Sequence, residues 1–78
     1  MSIKNKKSSI KTELSEGVLT VTLDRPKVRN AINAEMRESL INIWTEFRDT
    51  NEARVGILTG AGDRSFSAGA DLKEIGDY

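Results

Sequence analysis

Val18-Leu19-Thr20-Val21-Thr22-Leu23 sets aliphatic residues against threonines at a period of two. β-branched side chains at that spacing read as a strand. Upstream, Ile10, Thr12 and Leu14 share one face of a second short run, and Ser15-Glu16-Gly17 between the runs is a turn signal. The two runs predict a hairpin with a three-residue link. Downstream, Pro26 ends the strand, because it lacks an amide donor and restricts Arg25 before it. Residues 24–30 read as a polar, irregular loop. Asn33 is a good helix N-cap, with Glu35 placed to complement the positive end of the dipole.

From Ala34 to about Asp49 the periodicity is helical. Met36, Leu40, Ile43 and Phe47 recur at steps of four, three and four, Trp44 widens the stripe and Ile41 flanks it. The stripe reads as core, since nothing polar converges beside Trp44 and Phe47. Val55-Gly56-Ile57-Leu58, within a strand expected at residues 54–59, lacks strict alternation. That is the pattern of a strand covered on both faces. Strand, helix and strand in this order make a βαβ unit with a right-handed crossover. A loop at residues 60–64 and a brief extended stretch at 65–67 follow, then the first turn of another helix at 71–75. The fold class is α/β.

The chain has 78 residues, with 12 basic and 12 acidic side chains. A chain this short buries roughly 60% of the surface its unfolded form exposes, so its core is marginal. No cysteine can staple it, and without histidine a zinc site is not expected. The balanced charge argues against a nucleic-acid or polybasic membrane surface. Residues 1–9 hold Lys4, Lys6 and Lys7 with almost nothing apolar, which predicts a solvated tail rather than a secretory signal. Residues 10–78 are then one partial domain. No run approaches the ~20 apolar residues of a membrane span, and a cytoplasmic protein is the expectation. The expected parallel sheet has too few strands to cover its own edges, and a helix opening near Asp71 has no length in which to bury a face. The sequence reads as cut off.

Several motifs fail on inspection. Gly60-Ala61-Gly62 follows a strand, but Ser65 stands where a dinucleotide fingerprint needs its third glycine. Ser67 lacks the glycine two positions earlier that a nucleophile elbow requires, and no histidine is present for a triad. The segment from Phe66 to Leu72 is more informative. Ala68, Gly69 and Ala70 are small enough for a ligand to approach the backbone. The Ala70 amide, at or just before a helix start, suits an oxyanion such as a thioester enolate. A tight strand-to-helix turn, with Asp71 as a capping acid, accounts for the same residues.

Four stretches together resemble the enoyl-CoA hydratase/isomerase (crotonase) superfamily. They are residues 18–26, Arg29-Asn30-Ala31-Ile32-Asn33, residues 55–60 and Phe66-Ser67-Ala68-Gly69-Ala70-Asp71-Leu72. They stand in the family's order and spacing, from about Leu14 to Ile75. The resemblance implies the opening of a crotonase-like β-β-α spiral: a hairpin plus one βαβ unit.

By that resemblance, the partner is an acyl-coenzyme A thioester, with coenzyme A part of the substrate and no tightly bound cofactor. The Ala70 amide is expected to be the first of two oxyanion-hole donors. The backbone from Ala68 through Gly69, Ala70, Asp71 and Leu72 to Lys73 is expected to line the acyl-CoA pocket. Lys27, Val28 and Arg29 are expected to meet the nucleotide end of coenzyme A, with Lys27 and Arg29 toward its phosphates. Solvated loop charge is the alternative for those two cations. Glu74 reads as surface. The second amide and the acidic residues of hydratases belong to a later family segment, so this chain alone is expected to be inactive. Complete family members assemble as trimers or hexamers through elements mostly outside this stretch, so neither is expected here. The alternative is a non-catalytic remnant that associates with full-length relatives through its open sheet.

Overall fold

A computed structural model describes residues 9–71 of the chain. Its elements are β1 (Ile10–Ser15), β2 (Val18–Leu23), a 3-10 turn (Pro26–Val28), α1 (Ala34–Asp49) and β3 (Val55–Gly60). The tail at residues 1–8 and the helix expected from Asp71 onward, with Leu72, Lys73 and Glu74, lie outside the described residues.

The strands form one sheet in the order β1-β2-β3. β1 and β2 are antiparallel from Ile10 against Leu23 to Ser15 against Val18. The hairpin link is therefore two residues, not three. Glu16 and Gly17 both take positive φ, 49° and 81°. That mirror-image turn matches the twist of the flanking strands, so Ser15 can pair with Val18 and belongs to β1. β2 and β3 are parallel, from Val18 beside Val55 to Leu23 beside Gly60. The carbonyl of Gly17 accepts from the amides of Arg54 and Val55 at 2.7 and 3.2 Å, pinning the start of β3 to the hairpin.

α1 begins where the Asn33 side-chain oxygen accepts from the Met36 amide at 2.9 Å. Glu35 in its first turn and Arg48 in its last complement the dipole. Its apolar stripe meets the sheet: Met36 and Ile43 are buried with Ile10, Leu19, Val21, Leu23 and Ala53, and Leu40, Trp44 and Phe47 pack beside them. Trp44 and Phe47 meet edge to face at a centroid distance of 5.6 Å. Gly56 gives Trp44 its place, since a Cβ there would lie 2.8 Å from the indole.

β3 departs from expectation. It is an edge strand, and Val55, Ile57 and Leu58 are 51%, 44% and 41% exposed. A continuous apolar run fits a doubly covered strand, yet among the described residues a single helix covers only one face of this sheet. The 3-10 turn also replaces part of the expected irregular loop, and residues 65–67 do not form a strand.

Candidate functional site

At one end of the sheet, two loops far apart in sequence are tied together. The first, residues 24–33, carries the chain from β2 to α1. Val28 and Arg29 amides donate back to the Arg25 and Pro26 carbonyls at 3.0 and 3.1 Å, closing the 3-10 turn. Arg29 and Asn30 then take left-handed conformations, φ 55° and 57°. Two successive non-glycine residues in that region cost stability and persist only where neighbours hold them.

Asn30 supplies the hold. It is wholly buried. Its amide donates to the Arg25 carbonyl at 2.8 Å, and its Oδ1 accepts from the Arg25 amide at 2.8 Å. Its Nδ2 donates across the gap to the carbonyls of Ala61 (2.9 Å) and Ser65 (3.2 Å). Its own carbonyl accepts from Ser67 Oγ at 2.8 Å. Gly60 makes this close approach possible, because a Cβ there would overlap the Phe66 carbonyl oxygen and crowd Asn30 Nδ2 at 2.8 Å.

The second loop, residues 61–71, then runs beside the first. The Ala68 amide donates to the Arg29 carbonyl at 2.9 Å. Gly69, at φ 89°, turns the chain, and its amide donates to Ser67 Oγ at 3.0 Å. Ile32 and Ala70 form a parallel bridge, in which the Ile32 amide donates to Gly69 O and the Asp71 amide donates to Ile32 O, both at 2.8 Å. Arg25 closes the far side: its Nη1 donates to Ala31 O at 2.8 Å and pairs with Asp71 Oδ2 at 3.2 Å. That pair is largely screened from solvent, with side chains 23% and 16% exposed.

A census of four successive amides isolates one group. Those of Ala68, Gly69 and Asp71 each have an internal acceptor, whereas the Ala70 amide has none among the described residues. Carbonyl and amide of a trans peptide point in opposite directions. With Gly69 O held toward Ile32, the Ala70 N–H is directed away from it, and the residue is exposed. The site thus presents a lone backbone donor beside small side chains.

The residues expected to bind therefore divide. Lys27, Val28 and Arg29 are exposed on and just after the 3-10 turn, and the Arg29–Ala68 hydrogen bond sets that stretch against Ala68, Gly69 and Ala70. Asp71 is half-buried on Arg25. Lys27 also lines an open depression of about 240 Å³ with Pro26 and residues 61–65. Asn30, Arg25 and Gly60 hold these parts in place, yet sequence reasoning passed over them as loop residues. Asn30 stood within one of the four resembling stretches, and that was its only signal. No group of His, Cys, Asp and Glu able to hold a metal occurs among the described residues, and no helix there is long and apolar enough to cross a membrane.

Comparison with known proteins agrees with this architecture. The family model described as enoyl-CoA hydratase/isomerase matches residues 13–78. The chain is 42% identical over 62 residues to (E)-benzylidenesuccinyl-CoA hydratase of Thauera aromatica, covering 80% of this chain and 24% of that protein. It is 50% identical over 56 residues to carnitinyl-CoA dehydratase of Escherichia coli, covering 72% of this chain and 21% of the relative. Among solved structures, enoyl-CoA hydratase from Bacillus anthracis superposes with a TM-score of 0.84 at 36% identity, over 91% of this chain and 28% of that one. The chain thus spans about a quarter of the length of the relatives it matches.

Proposed function

Because the chain belongs to the enoyl-CoA hydratase/isomerase family, we propose that its Ala70 amide donates to the carbonyl oxygen of an acyl-coenzyme A thioester and stabilises it as enolate character develops. One observation carries this reading: of the amides at residues 68–71, only that of Ala70 lacks an acceptor among the described residues. A donor fixed before the ligand arrives needs no reorganisation when charge develops. Loss of one such donor costs about 2.7–4 kcal/mol of transition-state stabilisation.

In this proposal the backbone of residues 68–73 lines the acyl-CoA site, and coenzyme A enters as part of the substrate. Arg29 is hydrogen-bonded to Ala68 of that backbone, Lys27 lies two residues before it, and in this proposal both cations face the phosphates at the nucleotide end. A single amide clamps no proton donor or base in place, so these 78 residues by themselves bind without turnover. The test is a titration of the isotope-labelled chain with crotonyl-CoA and, separately, with free coenzyme A. The reading predicts that both shift resonances of residues 27–29, and that only the thioester shifts the Ala70 amide. An Ala70 signal indifferent to crotonyl-CoA contradicts it, and hydration of crotonyl-CoA well above background would contradict binding without turnover.

A second reading is favoured by the exposed side chains of β3: a non-catalytic chain that pairs with longer relatives through the open sheet edge. Co-purification with such a relative, lost on replacing β3 residues, would support it over the first.

A further inference from the structure

The Ala70 amide can serve only if the Gly69–Ala70 peptide keeps one orientation, and Gly69 is the residue least able to keep it unaided. With φ at 89° and, its two chain neighbours aside, no atom within 4 Å of where its Cβ would stand, neither a side chain of its own nor packing around it confines it. Two hydrogen bonds do. Gly69 O is held by the Ile32 amide, and Gly69 N–H is held by Ser67 Oγ. The hydroxyl has one proton, which goes to the Asn30 carbonyl at 2.8 Å. Its lone pairs then remain to accept from Gly69. Asn30 itself is wholly buried and hydrogen-bonded to Arg25, Ala61 and Ser65, so the relay starts from a fixed point.

We infer that Ser67 is a positioning residue: its hydroxyl transmits the rigidity of Asn30 to Gly69, aims the Ala70 amide outward and removes the Gly69 amide from competition for the same ligand. The inference rests on the proposed thioester site for its ligand, but not for its geometry. It also gives Ser67 a role that leaves no free hydroxyl proton for nucleophilic chemistry.

The test compares the full chain with Ser67→Ala and Ser67→Thr, the second of which keeps the hydroxyl. Without ligand, amide exchange at Gly69 should be slow in the parent and in Ser67→Thr. It should be about tenfold faster in Ser67→Ala, the worth of roughly one hydrogen bond, while Ala70 exchanges fast in all three. With crotonyl-CoA, the shift of the Ala70 amide should be reduced by half or more in Ser67→Ala and restored in Ser67→Thr. A purely structural serine would not split the two amides in this way. Gly69 exchange unaffected by loss of the hydroxyl, or an Ala70 response that the parent shows and Ser67→Ala shows equally, overturns the inference. Should Ser67→Ala fail to fold, the parent alone decides: Gly69 exchanging as fast as Ala70 overturns the relay, and slow Gly69 with fast Ala70 supports it. A parent whose Ala70 ignores crotonyl-CoA while Gly69 protection follows the hydroxyl supports the relay and rejects the thioester.

Discussion

The two ends of β3 sit in opposite environments. Along the strand, Val55, Ile57 and Leu58 leave apolar surface open to solvent on an edge with no neighbour among the described residues. At its end, from Gly60 onward, the chain enters a junction where Asn30, Ser65, Ser67 and Ala68 exchange hydrogen bonds across two loops, and no buried side-chain polar atom among the described residues lacks a partner. The difference teaches that order here does not follow apolar burial. Among the described residues the apolar side chains of β3 are open, and a polar network holds the exposed site.

The contrast breaks most visibly at Asn30. Replacing it with alanine strands the Arg25 amide and the carbonyls of Ala61 and Ser65 in a partly buried place. At about 1–3 kcal/mol for each stranded group, the loss is on the order of 3 kcal/mol or more, a large part of the roughly 5–15 kcal/mol that a domain possesses. Urea unfolding followed by circular dichroism should show a much lower midpoint or no folded baseline. A midpoint within error of the parent would mean the junction does not hold the loops.

Ile57→Ser sharpens the other side. On an open face the change should stay within about 0.5 kcal/mol, read in the same unfolding experiment. A loss of several times that would show that something covers β3 in solution. The smallest effect belongs to the Arg48–Asp49 pair on α1. The side-chain hydrogen bond from Arg48 holds the Asp49 carboxyl below its ordinary range, with the neighbouring positive charge adding to the effect. A lowered folded-state value stabilises above the unfolded value and is lost as pH falls through the folded one. Both groups are open to solvent, so screening leaves almost nothing. Asp49→Asn should therefore leave the thermal midpoint unchanged at neutral pH and in mild acid.

What was legible in the sequence was local. The alternation of residues 18–23 and the cap at Asn33 depend on near neighbours, and both appear where expected. The hairpin link was misjudged by one residue because nothing in Ser15-Glu16-Gly17 says that Glu16 will turn left-handed. Val55-Gly56-Ile57-Leu58 showed a strand but not its cover, since a continuous apolar run records affinity for burial and not what is there to provide it. Ala68, Gly69 and Ala70 stood out as small residues, and Ala70 was singled out for its position. The reason its amide is the unpaired one lies elsewhere: Arg29 O, Ser67 Oγ and Ile32 O take the others. Asn30 was illegible for the same reason, as its carboxamide partners Ala61 and Ser65 lie 31 and 35 residues away.

The central claim is that one amide in a row of four is left for a ligand. Residue-resolved hydrogen exchange on the ligand-free chain measures it directly. The account predicts slow exchange at Ala68, Gly69 and Asp71 and fast exchange at Ala70 between them. Protection at Ala70, or equally fast exchange at all four, would contradict it.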